Sequence, residues 1–166
     1  MLIILGGLPG TGKTTIARAL ARDLGAVHIR IDTIEQALRR SGTLAAEVGP
    51  AGYLVAYDLA ADNLRLGHTV IADSVNPLAI TRHAWREIAG RCRTALAEVE
   101  LTCSDPAEHR RRVESRQPDI ADLEQPSWGD VMSREYDPWD EPHIRIDTAH
   151  RATEELVREL RAQLPG

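Results

Sequence analysis

Apolar and polar positions alternate between two rhythms along the chain. Short runs of apolar and β-branched residues, LIIL (2–5), AVHIRI (26–31), HTVIAD (68–73), TALAEVELT (94–102) and HIRID (143–147), read as strands. Between them lie segments with helical spacing: 13–24, 32–40, 53–67, 77–90, 105–116 and the run from Thr148 to Leu164. Asp32 or Thr33 supplies the cap of the second helix, Gly67 ends the third, Pro77 opens the fourth and Asp105 caps the fifth. SGTLAAEVGPAG (41–52) reads as a loop or broken helix, and DVMSREY (130–136) as a short helical piece before the turn DPWDEP. Strand and helix in regular alternation predict an α/β fold. Its five-stranded parallel sheet is sandwiched by helices in one domain of 166 residues, and no repeat interrupts it. In such sheets ligands bind beyond the carboxyl ends of the strands, so polar residues there are the candidates for chemistry.

The first strand end carries the densest signal. GGLPGTGKTT (6–15) contains Gly7-x-x-x-x-Gly12-Lys13-Thr14, the phosphate-loop (Walker A) spacing, between a strand and an amphipathic helix. Gly7, Gly10 and Gly12 free the backbone to curl with its N–H groups inward. Leu8, Pro9 and Thr11 complete the curve, and the helix beginning beyond it turns its positive end to the same anion. Lys13 then reaches the β- and γ-phosphates, the Thr14 hydroxyl binds Mg²⁺, and Thr15 follows at the helix start.

Composition sharpens this reading. Of the 20 basic residues 19 are arginine, and the single lysine is Lys13. Arginine replaces lysine wherever only a surface charge is needed, but not where a compact ammonium must fit between phosphates. A net charge of −5 disfavours a dedicated nucleic-acid binder. No apolar run approaches a membrane span, the six histidines have no metal-ligand spacing, and Cys92 and Cys103 stand apart, so a reducing cytoplasm is expected.

If the loop holds a triphosphate, something must receive the phosphate. Asp32 ends the second strand and Asp73 the third, both facing the γ-phosphate side. Transfer to a hydroxyl needs one carboxylate to orient and deprotonate it and another to hold Mg²⁺ directly or through water. Asp32 is assigned the first role and Asp73 the second, and the pair could exchange them. Arg112 and Arg116 share a helical face at i, i+4, placed to stack on a base and to neutralise transferring charge. The polar stretch 117–129 suits a lid.

GLPGTGKTT, IRID, VIAD and the RVESR helix before a lid together resemble the small P-loop kinases of the nucleoside-monophosphate-kinase-like fold. The branch is the one containing gluconate kinase, shikimate kinase, chloramphenicol phosphotransferase and the kinase domain of bacteriophage polynucleotide kinase. The resemblance covers nearly the whole chain. It implies transfer of the γ-phosphate of ATP, or of GTP, to a substrate hydroxyl, with Mg²⁺. By the same resemblance residues 7–15 bind phosphates, Asp32 contacts the acceptor, Arg112 is the base-stacking arginine and Arg116 the lid arginine. Asp147 and Thr148 fall at the nucleotide-base loop. The resemblance also makes region 42–66 the acceptor pocket, with Tyr53 and Tyr57 one helical turn apart able to line it; its single arginine, Arg65, favours a neutral or weakly polar acceptor. The chain departs from shikimate kinases in lacking a D-x-D at the second strand, where Arg30 takes the earlier position. The expected function is therefore a small-molecule kinase. Two other readings are a 5′-hydroxyl polynucleotide kinase, for which Arg39, Arg40, Arg82 and Arg86 would form a track, and a nucleotide-dependent switch ATPase without an acceptor.

Overall fold

The computed structural model describes residues 1–42 and 48–165. Five strands, β1 (Leu2–Gly6), β2 (Val27–Arg30), β3 (Val70–Asp73), β4 (Leu96–Thr102) and β5 (Ile144–Asp147), form one sheet in the order β2-β3-β1-β4-β5. Every pairing is parallel, with Leu5 opposite Asp73 across β1 and β3 and Arg30 opposite Asp73 across β2 and β3. The expected architecture is therefore present.

The helices are α1 (Lys13–Leu24), α2 (Ile31–Ser41), α3 (Ala51–Arg65), α4 (Ala79–Cys92), α5 (Pro106–Glu114), α6 (Trp128–Met132) and α7 (Thr153–Gln163). β1 is buried along its whole length, as a central parallel strand covered on both faces must be. Its side chains divide by strand alternation. Leu2 and Ile4 join Trp85, Ile88 and the alanines of α3 on one face. Ile3 and Leu5 join Ile16, Leu20, Leu156 and Leu160 of α1 and α7 on the other. The connection after β1 runs to one side of the sheet and the one after β3 to the other, so a crevice opens between these two neighbours.

Several element ends differ from the pattern, each for a local reason. α2 starts at Ile31 with Arg30 as its N-cap residue, so Asp32 sits inside the first turn and neither it nor Thr33 caps the helix. The Asp32 carboxylate still favours that end electrostatically. α4 begins at Ala79 rather than Pro77, its first N–H donating to Asp137 Oδ2 at 2.8 Å from 58 residues away. Asp105 caps α5 as expected, accepting from the backbone of Ala107 and Glu108, but the helix stops at Glu114 and leaves Arg116 beyond its end. α6 starts earlier than DVMSREY, on a capping box of Ser127 and Asp130. α7 starts only at Thr153, because Thr148 is buried in the turn that leaves β5. Within 42–66, residues 43–47 lie outside the described residues.

Candidate active site

The phosphate loop is held from three sides. Gly7 has φ 136°, and a Cβ there would stand 2.2 Å from the Leu101 carbonyl oxygen of β4, so no other residue fits. Within the loop, Thr11 Oγ1 and Lys13 Nζ both donate to the Leu8 carbonyl at 2.9 Å. From outside, His109 Nε2 on α5 donates to the Pro9 carbonyl at 2.8 Å, and its ring meets Trp128 edge to face at 5.1 Å. Thr148 Oγ1 lies within hydrogen-bond distance of the Thr11 and Thr102 carbonyls. Thus β5, α5 and α6 fix a loop whose own residues are mostly small.

Two clefts meet at this loop. The first, about 470 Å³, is lined by Gly10, Gly12, Lys13, Thr14 and Thr15, by Arg18 of α1, and by Arg112, Arg116 and Thr148. The second, about 560 Å³, is lined by Pro9, Lys13 and Thr14 with Asp32, Glu35, Gln36 and Arg39 of α2. Asp73, Ser74, Arg116, residues 122–126 and Arg134 complete it. Lys13, Thr14 and Arg116 belong to both. A nucleotide seated on the loop would fill the first cleft and point its terminal phosphate into the second.

The charges at the junction are interlocked. Burial pushes the Lys13 ammonium down to about 8 against the pull of Asp73 and Asp32, while Arg116 and Arg134 add to the drop. Burial alone would raise the Asp73 carboxyl. The hydrogen bond from His28, the Lys13 charge and the Thr14 hydroxyl outweigh it and hold Asp73 below the usual carboxylate range. His28 Nε2 lies 3.1 Å from Asp73 Oδ2. An ionised, buried carboxylate within reach of the Thr14 hydroxyl is a hard oxygen set of the kind Mg²⁺ takes with phosphate oxygens and water. Asp32 is more open, its side chain 41% exposed, and its contact is Arg30 Nη2 at 3.3 Å.

The remaining expected residues divide. Arg112 lines the first cleft but is anchored, donating to the Thr148 hydroxyl and carbonyl at 2.9 Å each and pairing with Glu108. Arg116 makes no hydrogen bond or ion pair among the described residues. Thr148 reaches the first cleft, whereas Asp147 lines neither cleft and accepts from Ser104 and Ala149 as a brace between the β4 and β5 turns. Tyr53 and Tyr57 line neither cleft. Tyr57 packs edge to face on the fully buried Trp85 at 4.5 Å, and Tyr53 joins the same cluster. Of the described residues in 42–66 none lines a cleft, and Arg65 pairs with Asp62 on the exposed end of α3. The wall of the second cleft comes instead from α2 and the 116–134 stretch, which supply Arg39, Arg116 and Arg134. The cleft is therefore more polar than residues 42–66 imply.

Sequence reasoning missed His28, Arg30, His109 and Asp119. His28 and Arg30 share one side of β2 beside Asp73, a relation that period-two alternation makes visible once β2 and β3 are paired. His109 and Asp119 leave no local trace, since their partners lie 100 and 89 residues away. The tryptophans of SWGDVMSREYDPWDEP also acquire a role. Trp128 backs His109, and Trp139 lies so close to Gly6 that a Cβ there would stand 2.3 Å from its ring.

The fold and site define a P-loop kinase architecture. The profile of the AAA-domain family matches residues 2–134, and the chain belongs to that family. An uncharacterised protein of Mycobacterium tuberculosis is 32% identical over 161 residues, which cover 89% of this chain and 32% of that protein. The chain thus spans about a third of the length of the curated relatives it matches. Among solved structures, M. tuberculosis APS kinase in complex with AMPPNP and APS superimposes with a TM-score of 0.72 at 20% identity, over 97% of this chain and 95% of that one. Chaetomium thermophilum Kti12 in complex with ADP-AlF3 gives 0.71 at 23% identity over the full length of both. Sinorhizobium meliloti gluconokinase gives 0.65 at 21%, over 96% and 89%. Among the described residues no helix is long and apolar enough to cross a membrane.

Proposed function

We propose that the protein is an ATP-dependent kinase that moves the γ-phosphate to a hydroxyl of a polar small molecule. The observation that carries this reading is the meeting of two clefts at Lys13, Thr14 and Arg116, one opening from the phosphate loop and the other lined by Asp32. A switch ATPase needs the first cleft but has no use for a second of comparable size ending on an open carboxylate. In this reading the loop residues 7–15 cradle the triphosphate, with Arg112 and Thr148 toward the base end. Asp32 takes the proton of the acceptor hydroxyl as its oxygen bonds to the γ-phosphorus and the bond to the ADP oxygen breaks. Lys13 and Arg116 carry the charge that spreads over the transferring group. Thr14 and Asp73 are the residues that fit Mg²⁺, which supplies further charge neutralisation when bound. Charged and amide side chains dominate the acceptor wall, so we assign a polar hydroxyl compound. The arginine track for a polynucleotide loses its basis, because Arg82 is fully buried and Arg86 is paired with Glu98.

The test is γ-labelled ATP and Mg²⁺ with the purified protein, offered a metabolite extract or 5′-hydroxyl oligonucleotides. Label is expected on a small molecule, with transfer abolished in Asp32→Asn while nucleotide binding persists. Undiminished transfer in that variant removes Asp32 from the mechanism. Label on the oligonucleotide, or only on free phosphate, replaces the reading with the polynucleotide kinase or the switch.

A further inference from the structure

Arg30 is 5% exposed and stands at the end of β2, between the two clefts. Its Nη1 donates to both carboxylate oxygens of Asp119, at 3.0 and 2.8 Å, and its Nη2 donates to Asp32 at 3.3 Å. Its buried Nε has no partner. Asp119 belongs to the 117–129 stretch and is also gripped by Arg18 of α1 at 2.6 Å. One guanidinium thus serves two carboxylates, one from the stretch over the clefts and one from the acceptor wall. The shares are unequal. Asp119 takes the short two-point contact, while Asp32 keeps a single long one and leaves its second oxygen uncommitted.

We propose that Arg30 is a positioning residue that presents Asp32 to the acceptor only while Asp119 is latched to it. The inference rests on the kinase reading above, with Asp32 as the base. An arginine this buried cannot be left with one long contact, because an undercompensated buried charge is costly. If the 117–129 stretch lifts, Asp119 leaves, and Asp32 is the carboxylate still in contact with Arg30. A two-point grip on Arg30 then turns both Asp32 oxygens away from the acceptor cleft. Closure reverses the exchange: Asp119 and Arg18 take up the latch, and Asp32 recovers a free oxygen facing the hydroxyl. The base is therefore competent when the cleft is covered and withdrawn when water has access, which suppresses wasteful transfer to water. Charge state supports the latch. Burial alone would raise the Asp119 carboxyl, but Arg30 and Arg18 hold it down at about 2, so it is ionised at every working pH.

The test pairs Asp119→Asn with Arg30→Lys, which keeps the charge but loses the planar fork that holds the two carboxylates apart at separate nitrogens. Both are expected to lower kcat for phosphate transfer at least about tenfold with no matching loss of ATP affinity, a split that general damage to the site would not give. Trypsin should cut after Arg116 faster in Asp119→Asn than in the parent protein. Full kcat in Asp119→Asn, or a proportional loss of ATP affinity, overturns the proposal. Should Arg30→Lys not fold, the half-exposed Asp119 site carries the test by itself. Should the parent protein phosphorylate no acceptor, the kinase reading fails separately, and equal trypsin cleavage of parent and Asp119→Asn still rejects the latch.

Discussion

Lys13 is the single lysine in the chain, which turns a physical argument into a one-signal experiment. Burial brings its ammonium down to about 8 from an ordinary 10.5. Between those values the folded protein binds fewer protons than the unfolded chain, so stability rises with pH across that window: the charged form costs most below 8 and nothing above 10.5. A bound triphosphate adds negative charge around the ammonium and must push the value back up. Lysine labelled with ¹⁵N or ¹³C will give one side-chain resonance, expected to titrate near 8 in the free protein and well above it with Mg²⁺ and ATP. A free-state midpoint near 10.5 would contradict the burial argument, and no upward movement with nucleotide would contradict the phosphate contact. The placement of single residues at the clefts was legible in the sequence where a local spacing encodes them, as at Lys13 and Thr14, or where a strand ends at or just before them, as at Asp73 and Asp32. Tyr53 and Tyr57 illustrate the limit. Helical spacing put them on one face, but a face can meet the core or a cleft; the edge-to-face contact with Trp85 decided for the core at Tyr57, and Tyr53 packs against the same cluster.

At the scale of elements, α5 works as a support for the phosphate loop more than as an arginine platform. Its His109 is 6% exposed and fills a hydrogen bond that the Pro9 carbonyl would otherwise lack. Replacing it with alanine leaves that carbonyl unpaired and opens a gap beside Trp128. The expected cost is about 1–3 kcal/mol of stability, together with a several-fold weaker ATP affinity because the loop is no longer held in its binding curve. Denaturant unfolding and a nucleotide titration on His109→Ala check both halves, and a stability loss with unchanged ATP affinity would show that His109 supports the fold but not the loop. Regular elements were readable because apolar period reports strand or helix directly, which gave five strands and the major helices to within a few residues. Their ends were not, where the cap comes from afar. Asp137, in a turn that read only as DPWDEP, receives the first N–H of α4 and so moves its start past Pro77. Its neighbour Trp139 lies 5.0 Å from the buried Arg82, whose Nη2 donates to the Pro138 carbonyl at 2.7 Å. Such contacts join segments more than fifty residues apart, and no local pattern records them.

Over the whole molecule these charge arrangements combine into a stability profile with a definite shape. On the acid side Asp73, Asp105, Asp119 and Asp147 are all held below their ordinary value of 3.8, Asp119 at about 2. The folded state then binds fewer protons than the unfolded chain between the two sets of values, so their contribution is complete above 3.8 and lost as pH falls toward 2. On the alkaline side burial raises the hydroxyls of Tyr57 and Tyr136 above their ordinary 10.0. There the folded state keeps protons the unfolded chain gives up, so stability falls as pH climbs past 10. Lys13 acts in the opposite direction between 8 and 10.5 and should leave a shallow rise before that fall. Unfolding free energies from guanidinium titrations at a series of pH values, with a constant slope against denaturant, are therefore expected to rise from pH 2 to about 5, stay level to 8, climb slightly and then decline. Lys13→Met should erase the climb that begins at 8, because the other group shifted in that range, the Cys103 thiol raised by burial from its ordinary 9.0, lowers stability as pH rises instead. Asp119→Asn should flatten the acid limb instead, because it removes a carboxylate held down at about 2. A climb that survives Lys13→Met would mean that another group titrates there, and an unaltered acid limb in Asp119→Asn would mean that the clasp of Arg18 and Arg30 does not persist in solution.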